Sequence, residues 1–308
     1  MQVIVHGGAG GAPDEPEPRQ AVLDDAASEG AGADAPLDAV EAAVRVLESS
    51  ERFNAGVGGA VQSDGVVRTD AGVMTDDRAA GAVCSMPGVE HAVSAARVVM
   101  EETPHVLVAG ERAVELAADH GVETGVDLWS DRTRETFAEV DTPVDAGPRE
   151  QLAWLADHFG RTDPGGRDEE GDGDAHTDHD ADAHDHDTVG AVAREGDRIA
   201  AATSTGGRWL ALAGRVGDVP QIGSGFYCSP AAGASATGAG EDIARVTLTR
   251  RAVRHVEAGR DADAAADLAI EEFGELTGSS AGVIVLDAEG NAGSAFNSAA
   301  MQTAGARE

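Results

Sequence analysis

The sequence predicts a layered α+β protein, with strands and helices gathered in runs and not in the strict alternation of a parallel doubly wound sheet. Three observations carry that expectation. A strand-like start is followed by two helix-periodic segments, a Gly-punctuated β-branched stretch comes next, and two hairpin patterns flank a helical run near the end. At 308 residues with 42% apolar side chains, the chain can bury a sizeable core.

Gln2 to His6 alternates apolar and polar residues as a strand does, and Gly7-Gly8-Ala9-Gly10 reads as the turn that ends it. Arg19 to Glu29 and Leu37 to Ser49 carry apolar positions at helical spacing, with Leu37, Val40, Val44 and Leu47 on one face of the second. Asn54 to Val73 reads as a hairpin turning at Ser63-Asp64-Gly65, and Ala80 to Cys84 as a further strand. Helices are expected at Glu90 to Glu101, Gly110 to His120 and Arg149 to His158. A second hairpin joins Thr188-Val-Gly-Ala-Val-Ala to Arg198-Ile-Ala-Ala-Ala-Thr across Glu195-Gly196-Asp197. Helices over Gly240 to Glu257 and Asp261 to Leu276 then precede two closing strands, Ala281 to Leu286 and Ala292 to Asn297, around Glu289-Gly290-Asn291.

These elements fall in two parts, residues 1–161 and 188–308, separated by residues 162–187. That middle segment holds no Val, Ile or Leu and is dominated by Asp, Glu, Gly, His and Ala, so nothing in it offsets the entropy of ordering. It is expected to be a mobile acidic linker. His176, His179, His184 and His186 alternate there with Asp, a pattern that suits either a divalent cation or a simply hydrophilic tether.

Charge narrows the function classes. The chain has 56 Asp plus Glu against 22 Lys plus Arg, a net charge of −34, and every fixed positive side chain is Arg. Nucleic acids and anionic membranes bind through clustered basic residues, so neither is an expected partner. Acid excess spread along the whole chain suits a halophilic protein, because concentrated salt screens the self-repulsion. Cys84 and Cys228 lie far apart with no C-x-x-C spacing, which argues for buried reduced thiols. With no basic leader pattern at Met1 and no long apolar stretch, a cytoplasmic location is expected.

A strand that starts at Thr188 directly after such a linker puts a hydroxyl at a new N-terminus if the Asp187–Thr188 bond is cut. The freed α-amine, with an ordinary pKa of about 7.7–8.0, then serves as base for its own side-chain hydroxyl. Around this point six strings occur in order: His6-Gly7-Gly8-Ala9-Gly10, Phe53-Asn54-Ala55-Gly56-Val57-Gly58, His186-Asp187-Thr188-Val189-Gly190-Ala191-Val192-Ala193, Thr203-Ser204-Thr205-Gly206-Gly207, Gly214-Arg215-Val216-Gly217-Asp218 and Ala236-Thr237-Gly238-Ala239-Gly240-Glu241. Together they resemble the plant-type L-asparaginase and isoaspartyl peptidase family of N-terminal-nucleophile hydrolases. The resemblance covers nearly everything but the linker and the extreme C-terminus. It implies a four-layer αββα sandwich and self-cleavage between Asp187 and Thr188.

Carried over residue by residue, the resemblance makes Thr188 the nucleophile and Thr205 the second threonine that assists it. Arg215 matches the residue that forks onto the substrate α-carboxylate, and Asp218 the one that takes the α-ammonium, with Gly240 beside them. Thr237, Gly238 and Asn54 match the donors to the oxyanion. On the residues alone, strand threonines are commonly structural, an Arg and an Asp three apart commonly form a surface ion pair, and Thr237-Gly238 or Asn54 commonly serve turns. The resemblance also implies a structural sodium ion held by main-chain carbonyls of Leu47, Glu48, Ser50, Phe53, Ala55 and Val57, no cofactor for catalysis, and a dimer of self-cleaved αβ heterodimers.

The chain departs from the family pattern at Arg208-Trp209-Leu210-Ala211-Leu212-Ala213 and at Val219, next to the expected substrate site. The leaving group is therefore open, with L-asparagine and β-aspartyl dipeptides both candidate substrates, and Arg208 and Trp209 favour larger or acidic ones. Glycosylasparaginase and taspase-like hydrolases share the same nucleophile logic. A catalytically silent acidic protein that binds cations through its His/Asp linker is the alternative of another class.

Overall fold

A computed structural model describes residues 1–159 and 188–307. The expected linker, its four histidines and Asp187 lie outside the described residues. The elements run β1 (Gln2–Gly10), α1 (Pro16–Ala31), α2 (Pro36–Glu48), β2 (Arg68–Thr75), β3 (Ala80–Pro87), α3 (Ala92–Glu102), β4 (Leu107–Ala109), α4 (Glu111–Asp119), α5 (Asp131–Ala138), α6 (Pro148–Phe159), β5 (Val189–Glu195), β6 (Arg198–Thr205), β7 (Phe226–Cys228) and β8 (Ala232–Gly238). They continue with α7 (Gly240–Val246), α8 (Leu248–Glu257), α9 (Ala262–Thr277), β9 (Ala281–Asp287), β10 (Ala292–Phe296) and β11 (Ala300–Arg307).

The strands form a seven-stranded sheet, β11-β1-β5-β6-β2-β3-β4, and a four-stranded sheet, β10-β9-β8-β7. Strand periodicity explains why they stack. In β5, Val189, Ala191 and Ala193 pack with Leu23, Val40, Val44 and Leu47 of α1 and α2, while Val192 joins Ile4 and Ile199 against Ala234, Val283 and Val285 of the smaller sheet. Leu248 and Val253 of α8 and Ile270 and Phe273 of α9 cover the other face of that sheet. The layers are thus helix, sheet, sheet, helix, and the central strands are buried on both faces.

Small residues let the two sheets approach closely. A Cβ added at Gly72 would lie 1.9 Å from the Phe226 ring, and one at Gly190 would lie 1.9 Å from Ser235 Oγ. The strands before residue 159 and those after 188 interleave, since β5 and β6 sit between β1 and β2. Thr188 therefore lies at the centre of the larger sheet. Among the described residues, no helix is long and apolar enough to cross a membrane.

Three expectations need correction. The Gly7-Gly8-Ala9-Gly10 string does not end β1; Gly8, at φ 108, makes a bulge and the strand resumes with Ala9 and Gly10 paired to Met301 and Ala300. The Ser63-Asp64-Gly65 turn is present, but it closes only the Val61–Val67 bridge, and β2 begins at Arg68. The helix expected over Gly240 to Glu257 is broken at Thr247, whose left-handed backbone (φ 53) re-aims α8 to bury Leu248, Ala252 and Val253. The remaining expected helices and strands occur within a few residues of their predicted bounds.

Candidate active site

β5 and β6 carry the centre of the site. Their register, Val189 to Ser204, extends by one residue to set Thr188 beside Thr205, and the Thr188 hydroxyl donates to Thr205 Oγ1 at 3.1 Å. Both residues are buried. Thr205 Oγ1 also accepts the Gly207 N–H at 3.2 Å and donates to the Asn54 carbonyl at 3.4 Å. A hydroxyl oxygen that already accepts from the backbone and from Thr188 is fixed in place, and it fixes the Thr188 rotamer in turn.

Asn54 braces the same corner. Its amide donates to Gly207 O at 2.7 Å and its Oδ1 accepts the Ala60 N–H at 2.8 Å, while Gly206 N donates to Asn54 O at 2.8 Å. One of the two amide hydrogens is therefore given to the backbone and not to a substrate. Behind this loop, buried Arg19 donates to the Gly7 and Arg52 carbonyls and covers the Phe53 ring at 4.7 Å.

β8 crosses over β5 from the other sheet. Gly233 meets Val192 and Ser235 meets Gly190, and Thr237 stands two residues further along the same strand. Thr237 is fully buried and its Oγ1 accepts the Ala9 N–H at 3.3 Å. Gly238, at φ 133, passes Ala281 and Ser280 so closely that a Cβ would sit 2.6 Å from each, so no other residue fits there.

Arg215, Asp218 and Gly240 also meet. A Cβ at Gly240 would lie 2.8 Å from Asp218 Oδ1 and 3.0 Å from Arg215 Nη2. The Arg215 guanidinium forks onto Glu241, with Nε to Oε1 at 2.8 Å and Nη2 to Oε2 at 2.7 Å. Burial raises the Glu241 pKa, but the Arg215 fork outweighs it and holds this carboxyl down at about 2. Asp218 turns its Oδ1 toward Gly240, and its buried Oδ2 has no hydrogen-bond partner among the described residues. Burial is the main reason its pKa is pushed up to about 7. A buried carboxylate with an unmet oxygen is suited to receive an ammonium group.

Several residues were not assigned a role from sequence. Glu241 is the ionised partner of Arg215, and Asp70, whose pKa burial pushes up to about 7, lies within reach of the same guanidinium charge. His6 Nε2 lies 2.8 Å from Ser235 Oγ, which lies 2.6 Å from Thr203 Oγ1, and Thr203 donates to Gly225 O at 2.9 Å. Burial lowers the His6 pKa to about 3, so the imidazole is neutral and serves this chain as a hydrogen-bonding group. The signal in the sequence was a polar side chain on the buried face of an apolar strand.

Trp209 does not stand alone. It packs edge-on against Phe137 at 6.3 Å, which meets Trp129 at 5.4 Å, so the wall beside the site is built jointly by the 207–213 loop and residues near α5. Cys84 and Cys228 are buried and free, as expected.

The carbonyls that the resemblance assigns to a sodium ion belong to the segment from Leu47 to Val57, which folds back on itself. Glu48 O accepts the Val57 N–H at 2.9 Å, Ser50 O the Phe53 N–H at 3.3 Å and Leu47 O the Ser50 N–H at 3.2 Å. Gly56, at φ 55, runs so close to Glu48 O that a Cβ would lie 2.2 Å from it. Three of the six carbonyls thus already accept a backbone N–H within one tight loop, each keeping a second lone pair of the kind a hard cation takes. Among the described residues, no group of three or more His, Cys, Asp or Glu side chains could hold a metal ion.

Comparison with known proteins gives a consistent picture. The family model described as asparaginase matches residues 1–308. A plant-type L-asparaginase of Pyrococcus abyssi is 38% identical over all of this chain and 97% of its own length. One from Pyrobaculum calidifontis is 40% identical over 97% of this chain and 94% of its own. An isoaspartyl peptidase/L-asparaginase of Rattus norvegicus is 35% identical over 98% of this chain and 84% of its own.

Proposed function

The chain belongs to the asparaginase family, and from that premise we propose that it is a self-cleaving threonine amidohydrolase acting on L-asparagine and β-aspartyl dipeptides. The observation that carries this reading is the buried Thr188–Thr205 contact at the head of β5. In processing, Thr188 Oγ1 attacks the Asp187 carbonyl, the acyl group shifts from nitrogen to oxygen so that the Thr188 α-amine is freed, and water hydrolyses the resulting ester to release the Asp187 carboxylate and the Thr188 hydroxyl. In turnover, that amine takes the hydroxyl proton as Oγ1 attacks the substrate's side-chain carbonyl. Thr237 and Gly238 stabilise the oxyanion, with Asn54 bracing the corner beside them. The nitrogen leaves with a proton as ammonia or an amino acid, and water hydrolyses the aspartyl ester to release L-aspartate.

Arg215 takes the substrate α-carboxylate and Asp218 its α-ammonium, while Gly240 leaves the space between them. Sodium bound by the carbonyls of Leu47, Glu48, Ser50, Phe53, Ala55 and Val57 would brace the loop that presents Asn54. The protein is further read as cytoplasmic, as a dimer of self-cleaved heterodimers, and as free of nucleic-acid and membrane partners. The test is a kcat/KM comparison on L-asparagine, a β-aspartyl dipeptide and N-acetylglucosaminyl-asparagine. Release of L-aspartate from either of the first two is expected. Turnover of the third alone would move the protein to the glycosylasparaginase branch.

The charge of −34 also supports a halophilic reading. Activity and thermal stability are expected to rise together as salt goes from about 0.1 M to 1 M, where the screening length falls from about 10 Å to about 3 Å. A melting temperature and rate that stay maximal at low ionic strength would contradict it.

A further inference from the structure

Three neighbouring strands set three side chains in a row. The β5–β6 register puts Thr188 next to Thr205, and the β6–β2 register puts Thr205 opposite Asp70. Side chains of the same parity in these strands face the smaller sheet: Gly190 meets Ser235, Thr203 bonds Ser235, and Gly72 meets Phe226. Asp70 therefore stands one strand beyond the Thr188–Thr205 pair, on the same face, and is 2% exposed. A carboxylate in a central strand is costly to bury unless something engages it.

β3 is shaped to hold this group. Between the pairs Thr69–Met86 and Ala71–Val83, β3 has one residue more than β2, a bulge opposite Asp70. Ser85 in that bulge adopts φ 56, a left-handed backbone that non-glycine residues avoid, and its N–H donates to Asp70 Oδ1 at 2.7 Å. Backbone strain held beside a reacting group is a pointer to function. Burial pushes the Asp70 pKa up to about 7 against the Ser85 N–H and the Arg215 charge, so the group carries its negative charge above that pH. The charged and titratable groups within electrostatic reach of it are Arg215 and Asp218 of the 215–218 loop and the Cys84 thiol of β3, joined after cleavage by the Thr188 α-amine beyond Thr205. β6 brings only the Thr205 hydroxyl to this position.

We propose that Asp70 is a further residue of the site, a positioning carboxylate that shares the Arg215 charge with Asp218 and so sets how firmly a zwitterionic amino acid is held. This rests on the amidohydrolase reading and deepens it. The sign of the effect follows from the charges. Burial is the largest influence lifting Asp218, and the nearby negative charges of Glu241 and Asp70 add to it. Neutralising Asp70 removes one of those repulsions, so Asp218 ionises at lower pH and holds the α-ammonium further into the acid range.

Asp70→Asn keeps an oxygen for the Ser85 N–H and removes the charge. L-Aspartate binding to this variant, followed by calorimetry against pH, is expected to have an acid limb moved down by about one pH unit, with Asp70→Glu restoring the wild-type position. The acid limb of kcat/KM for L-asparagine, which the Thr188 α-amine also sets, should move in the same direction. If Asp70→Asn does not fold, Asp70→Ser carries the same expectation. An unmoved limb and unmoved binding curve, or an equal loss at every pH as a purely structural residue would give, overturns the proposal. A wild-type protein that binds L-aspartate but turns over no amide would instead sink the hydrolase reading, and the binding curves would still decide the role of Asp70.

Discussion

Thr188→Ala is expected to lower turnover of L-asparagine roughly 10⁴-fold or more, because nucleophile and base are lost in one substitution. The change removes one hydroxyl and leaves the Val189 to Glu195 ladder with β6 intact, so the fold should persist. The loss should fall in kcat, since Arg215 and Asp218 still hold the zwitterion. Thr188→Ser, which restores a hydroxyl with a looser rotamer, should recover part of the rate. Wild-type turnover in the alanine variant would remove Thr188 from the chemistry.

Arg215→Ala is expected to cost about 10²- to 10³-fold in kcat/KM, mostly through KM, because truncating one member of a buried charge pair leaves the other uncompensated. The guanidinium is the counter-charge for Glu241, and its charge also favours the ionised forms of Asp70 and Asp218. Without it, repulsion among these acids should also destabilise the 215–225 loop, an effect that added salt relieves. Self-cleavage should survive, since no Arg215 contact reaches Thr188 or Thr205. Unchanged kcat/KM would take Arg215 out of the site.

What could be read in the sequence tracks the strength of its local signals. The β5–β6 hairpin was legible because Val189, Val192 and Ile199 sit around a Glu195-Gly196-Asp197 turn of ordinary chemistry. β8 was not, because Ala-Gly-Ala-Ser-Ala-Thr-Gly has no large β-former; its residues are small so that β8 can lie against β5 and β6. β4 and β7 are three residues each, too short for a periodic signal, and α5 and β11 were missed as well. The break at Thr247 carries no Gly or Pro and is imposed by the packing of Leu248 and Val253.

The site follows the same rule. Thr188, Thr205, Arg215, Asp218, Thr237 and Gly238 stood in contiguous motifs, and the fold brings the first two into direct contact. Asn54 was assigned to the oxyanion, yet its side chain makes two backbone hydrogen bonds that no motif specifies. Asp70 was legible only as an acid inside an apolar strand. Its meaning appears once strand register sets it beside Thr205 and the Ser85 bulge turns toward it.

The central claim is that Thr188 becomes a free N-terminus. Intact-mass measurement and N-terminal sequencing of the active protein test it most directly, since the 3.1 Å Thr188–Thr205 contact places the attacking hydroxyl but only chain cleavage frees the amine that must activate it. The expected result is two polypeptides, residues 1–187 and 188–308, the second beginning with an unmodified threonine, and a single uncut chain for Thr188→Ala. One intact chain with full amidase activity would contradict the mechanism.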